Sequence, residues 1–187
     1  MKFNSSKLLP YLIFLIIIFT IIGGAIYYQN RNSQKEITRY KFYGTEFQFR
    51  NDLRAAQTIS LYPDYKSILD KVWDPNITKI NIAYIPTAES STENSMLSLS
   101  VIEIRFKLDI AYHEFNWANE FTGTELKSFD DINSTNDTLT IALVRPSLSD
   151  KTGVELHGNI VYIKGKTEKE FDLATTKFLM AALNITI

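Results

Sequence analysis

From Leu8 to Tyr28 the chain carries no charged residue: LLPYLIFLIIIFTIIGGAIYY. As a helix this run would be about 31 Å long, which matches the hydrocarbon core of a bilayer. In water such a helix would have to hide apolar side chains on every side, whereas in lipid its backbone satisfies itself. Pro10 falls in the first turn, where its missing N–H costs little, and Tyr27 and Tyr28 fall where an interfacial aromatic belt would. The pattern predicts a transmembrane helix over residues 8–28, behind a tail of residues 1–7. The rival reading is a cleaved signal peptide, with residues 11–22 as its apolar region and Gly23-Gly24-Ala25 as the cleavage site. The uninterrupted apolar length favours the anchor.

A polar connector follows at residues 29–39, and residues 40–187 read as one domain. Tyr40 to Arg50 alternates, with Phe47 and Phe49 on one face, and predicts a strand. Leu53 to Leu61 is ambiguous. A short helix opens at Pro63 or Asp64 and runs through Lys71, and Thr78 to Ile85 alternates as a strand that stops at Pro86. The segment Ser95 to Trp117 carries two patterns. Ile102, Ile104, Phe106, Leu108 and Ile110 alternate with charges, as in a strand. Leu97, Val101, Ile104, Leu108, Ala111 and Phe115 follow helical spacing. No turn signal interrupts the segment, which as a strand would reach about 65 Å and as a helix about 30 Å. Length therefore favours a largely buried helix, with a hairpin as the alternative. Gly123 to Thr138 reads as loop. Leu139 to Val144 is a nearly continuous apolar run, as in a central strand. Gly153 to Leu156 and Ile160 to Lys164 flank a turn and predict a hairpin. A last helix begins at the Thr167/Glu170 capping box and faces the core with Phe171, Ala174, Phe178 and Ala181. The expected fold is α/β or α+β: one mixed-sheet α/β sandwich behind a transmembrane helix.

Charge sharpens this picture. The net charge of −1 averages an anchor preceded only by Lys2 and Lys7 with a remainder of 18 basic and 21 acidic residues, net −3. Such a domain does not suit broad phosphate neutralisation, so no nucleic-acid partner is expected. With no cysteine there is no disulfide, thiolate centre or lipid-modified cysteine. Arg31, Lys35, Arg39 and Lys41 beyond the apolar run would by themselves favour a cytoplasmic domain. Five Asn-X-Ser/Thr sequons, at Asn4, Asn76, Asn133, Asn136 and Asn184, favour export. Asn76, Asn133 and Asn136 fall in expected loops, where a glycan is accommodated. The balance places the C-terminal domain outside the cytoplasm, on a single-pass cell-membrane protein.

Candidate chemistry is sparse. Gly165-Lys166-Thr167 lies between a strand and a helix, but a phosphate loop needs a glycine where Ile160 stands. Lys151-Thr152-Gly153 lacks the Ser-X-X-Lys pair that penicillin-binding enzymes require. His113, on or beside the helix's apolar surface, and His157, in the hairpin turn, are the only histidines and suit packing and turn roles. Asp130 to Asp137 spaces oxygen ligands like a calcium loop, yet Asn136 replaces the glycine and Ala142 the bidentate glutamate. No metal, cofactor or catalytic set is therefore assigned. Arg50, Asp52 and Arg54 alternate in FQFRNDLR, as a structural ion-pair network or as a recognition patch for an anionic group.

The stretch Phe47 to Ala56, with Ser60-Leu61-Tyr62-Pro63, resembles a group of uncharacterised membrane-anchored archaeal proteins, chiefly from small-genome lineages of the Woesearchaeota type. Leu143 to Ser147, Glu155 to Asn159, Gly165-Lys166 and Asp172 to Lys177 resemble the same group, and the likeness covers most of residues 42–183. The alternation at Ile102 to Ile110 departs from it. The resemblance implies an anchored α/β domain and supplies no activity or catalytic residue. The expected function is a non-enzymatic cell-surface binding or envelope-organising module, held in the bilayer and engaging an envelope protein or glycan. The alternatives are an anchored hydrolase working through Asp52 or Asp130/Asp131, and an accessory subunit of a membrane complex.

Overall fold

The apolar run at Leu139 becomes β6 (Thr138–Val144), in which Leu139 to Val144 are all buried without alternation. A strand reads this way when neighbours flank both its edges and both its faces are covered. The structure, a computed structural model, describes residues 38–42, 44–133 and 135–186. The segment 8–28, the tail before it and most of the connector lie outside these residues. Among the described residues no helix is long and apolar enough to cross a membrane.

The protein is mixed α/β. Around β6 stand β3 (Leu61–Tyr62), β4 (Lys79–Tyr84), β5 (Glu120–Glu125), β7 (Gly153–His157) and β8 (Ile160–Lys164), in the order β3-β7-β8-β6-β4-β5. The β7–β8 pair is antiparallel, the expected hairpin, and the other four pairings are parallel. The register sorts the side chains by face. Phe121, Ile80 and Leu139 form one row, and Ile82, Ile141, Val161 and Leu156 the next. This apolar face lies under α3 (Ser91–Glu114) and α4 (Glu168–Ala182), whose Leu97, Ile104, Leu108, Phe171, Ala174 and Phe178 are fully buried in the same core. The opposite face is mixed: Ala83, Ala142 and Val144 are buried on it, Asn81 accepts hydrogen bonds from Thr122 (3.2 Å) and Thr124 (2.8 Å), and Phe129 packs edge-on against Tyr162.

Three expectations need correction, and one ambiguous segment resolves. Tyr40 to Arg50 is two strands, β1 (Thr38–Phe42) and β2 (Thr45–Phe49), paired as a separate antiparallel hairpin. Gly44 supplies the positive φ (95°) that the turn between them requires. Leu53 to Leu61 resolves into α1 (Leu53–Gln57) and β3. The supposed loop from Gly123 overlaps β5, an edge strand with only one apolar core residue, Phe121, and hence no readable alternation. Finally, α3 is buried on one side only. Leu99, Ile102 and Phe106 are 49%, 63% and 63% exposed. Apolar residues on this outer face, added to those of the inner face, produce the strand-like alternation. The hairpin alternative is not what forms.

Candidate functional site

Three helices end together beside the β1–β2 hairpin, and their last residues build an aromatic surface. The first is α2 (Tyr65–Val72), started by Asp64, whose carboxylate accepts from the Ser67 N–H at 2.8 Å, and closed by Trp73 as its C-terminal cap. The indole N–H of Trp73 donates to the Ala182 carbonyl of α4 at 2.8 Å. The Tyr112 hydroxyl of α3 donates to the Val72 carbonyl at 2.5 Å. Burial pushes that phenol's pKa up, so it stays a donor at any ordinary pH.

Both long helices stop in the same way. After α3, Asn116 takes a left-handed φ of 56°; its N–H bonds the His113 carbonyl (3.1 Å), and the Trp117 N–H bonds the Tyr112 carbonyl (2.9 Å). After α4, Asn184 does the same at φ 52°, with bonds to Ala181 (3.2 Å) and from Ile185 to Met180 (2.8 Å). These are paired helix-closing bonds in which a residue that tolerates left-handed backbone reverses the chain. The reversal at Asn116 lays Trp117 over Tyr112, with ring centroids 6.1 Å apart and planes 13° from parallel. Trp73 meets Tyr112, Phe115 and Trp117 at 4.9, 5.1 and 5.4 Å. The Tyr65 hydroxyl donates toward the Ile185 carbonyl at 2.6 Å and fixes the tail that follows.

These residues border an open groove of about 790 Å³, whose walls include Tyr40, Trp73, Phe115, Trp117, Leu183 and Asn184. Asp70, Asp74 and Lys41 lie on its rim. The Asn76 N–H, then the Asn76 side chain and Lys71, hold the Asp74 carboxyl below its usual range, so it is ionised at neutral pH. Helix C-termini carry partial negative charge, and three of them converge here. The groove is therefore rich in ring faces and hydrogen-bond acceptors. Its carboxylates are balanced by cations, Asp70 pairing with Lys66 and Asp74 with Lys71, so its rim carries polar groups of both signs.

The proposed recognition triplet is divided between separate tasks. Arg50 donates to Glu103 on α3 from Nε (3.0 Å) and Nη2 (2.6 Å). Glu103 also pairs with Lys107, a buried lysine that lies over the Phe49 ring at 4.5 Å. Asp52 caps α1 by accepting from the Arg54 N–H at 2.9 Å, and the Arg54 side chain is exposed. Among the described residues no ion pair joins Asp52 to either arginine. Asn76, Asn133 and Asn136 all stand exposed in loops. Asp130 and Asp131 are exposed in a short 3-10 turn, where Asp131 closes a capping box with Ser128. His113 is exposed near the end of α3 rather than on its apolar surface, and His157 is exposed at the end of β7. Gly165 is buried against Phe171: a Cβ there would lie 2.2 Å from the Phe171 nitrogen. That close approach explains the glycine without a phosphate. Among the described residues no group of three or more His, Asp or Glu side chains is placed to hold a metal ion.

The aromatic groove was not anticipated from spacing, because its walls come from residues between 40 and 184. One cue existed: both tryptophans of the chain stand just beyond a helical stripe. Compared with known proteins, the chain matches no family model, no curated protein and no solved structure.

Proposed function

We propose that the protein is a single-pass, membrane-anchored binding module whose domain faces outward and takes a neutral or amino-sugar glycan in the Trp73/Trp117 groove. The observation that carries this reading is the meeting of both tryptophans, Phe115 and Tyr40 with Asp70, Asp74 and Asn184 along one groove. A sugar ring has an apolar C–H face suited to an aromatic platform, and hydroxyls that need acceptors such as Asp70, Asp74 and Asn184. The floor is held before any ligand arrives by the Trp73–Ala182 and Tyr112–Val72 bonds, which lowers the ordering cost of binding. The charge-free span at residues 8–28 and the exposed sequons support an anchored, outward-facing domain.

Because both tryptophans line the groove, intrinsic fluorescence reports on it directly. The test titrates the full chain, in lipid nanodiscs, with neutral, amino-sugar and uronic-acid oligosaccharides of matched length. The reading predicts a saturable shift in tryptophan emission with the first two. No saturable change with any of the three rejects it.

A further inference from the structure

On its outer face α3 shows Leu99, Ile102 and Phe106 at spacings of three and four, which place them side by side on one surface. With Phe47 and Gln48 of β2 and the Arg50–Glu103 pair they line a shallow cleft of about 490 Å³. The chain comes into the domain at this end of the hairpin. Thr38, the first residue of β1, pairs across from Phe49, next to the arginine that grips α3. Only residues 29–37 separate β1 from the apolar run ending at Tyr28. Fully extended, they reach about 30 Å.

We propose that this face of α3 docks on the lipid bilayer surface, with Leu99, Ile102 and Phe106 dipping into the interface and Arg105 beside them among the headgroups. The proposal rests on the anchor reading, and two observations select the bilayer over other occupants. The tether is short enough to keep this edge within about 30 Å of the membrane. The three side chains together offer ~300 Å², against the ~800 Å² per partner that a stable dimer needs. Phe106 and Phe115 are about 14 Å apart along the helix, so docking here leaves the groove at the far end of α3 open.

The chain has no cysteine, so single-cysteine labels are unambiguous. Full-length Ile102→Cys, Phe106→Cys and, on the opposite face of the sheet, His157→Cys are labelled with an environment-sensitive fluorophore. Each is reconstituted into phosphatidylcholine vesicles with and without a spin-labelled lipid. The proposal expects blue-shifted emission at 102 and 106, with at least threefold stronger lipid quenching than at 157, unchanged when the protein-to-lipid ratio is lowered tenfold. Water-like emission at 102 and 106 overturns it. Blue-shifted emission that lipid does not quench, or that fades on dilution, means that protein covers the face and overturns it too. Alkaline extraction of the same vesicles separates the two readings. Chain lost from the membrane rejects the anchor and the docking together, whereas chain retained with a wet label at 102 rejects the docking alone.

Discussion

Asn116 and Asn184 show how much of the groove depends on single backbone positions. A β-branched residue pays roughly 1–2 kcal/mol in the left-handed region, whereas glycine takes it freely. Asn116→Val is therefore expected to lower stability by about that amount and, by loosening the turn that lays Trp117 on Tyr112, to shift tryptophan emission to the red. Asn116→Gly is expected to stay within about 0.5 kcal/mol of wild type, with emission unchanged. Urea unfolding followed by fluorescence measures both. Gly165 tests the opposite constraint, of space. An added Cβ would meet the backbone of Phe171, which cannot swing aside as a side chain could. Gly165→Ala is expected to cost about 2–3 kcal/mol; a neutral result in the same unfolding measurement would show that the start of α4 yields.

At the scale of elements, α3 carries most of the lessons. Its N-terminal turn is tied to the strand layer through Glu93, which accepts from the Ser147 N–H (2.9 Å), the Ser147 hydroxyl (2.8 Å) and Arg145 (2.8 Å). Burial alone would raise the Glu93 pKa, but the bonds from Arg145 and Ser147 outweigh it and hold the carboxyl below its ordinary 4.5. A carboxyl depressed in the folded state contributes its stability above its unfolded pKa and loses it as pH falls through the folded value. The wild type is thus expected to lose more stability than Glu93→Gln between pH 6 and 3, while at pH 7 the variant is weaker by about 2 kcal/mol. Parallel thermal melts across that range measure the difference, and equal acid slopes would remove Glu93 from the account. The helix was legible in the sequence because length overrode a genuine alternation. Its partial exposure was not, since an apolar residue looks the same whether it faces core or solvent. The hairpin β1–β2 was half legible: Phe47 and Phe49 alternate as expected, but Gly44 splits the run. The edge strand β5 had no pattern to read, because Thr122 and Glu125 face water and Gly123 has no side chain.

For the whole molecule, the mixed α/β class and the core were legible locally, in β6, β8 and the buried stripes of α3 and α4, whereas the strand order rests on long-range pairing. The groove was not, because it exists only where α2, α3 and α4 finish together. No periodicity links Tyr40, Trp73, Trp117 and Asn184; the fold does. The same division explains why Arg50, Asp52 and Arg54, close in sequence, act separately: strand and helix geometry send Arg50 to α3 and leave Asp52 to cap α1. The proposed binding module offers its groove where these helix ends meet. The central claim is that the groove binds glycan through Trp117. Calorimetry of the full chain in nanodiscs, comparing wild type with Trp117→Ala and with Asp52→Asn, tests this most directly. The account predicts that neutral or amino-sugar oligosaccharide binds the wild type and Asp52→Asn alike and loses at least roughly tenfold in affinity for Trp117→Ala, about 1.4 kcal/mol, with the domain still folded. Equal affinity of a folded Trp117→Ala, or heat of binding from none of the three proteins, would contradict it.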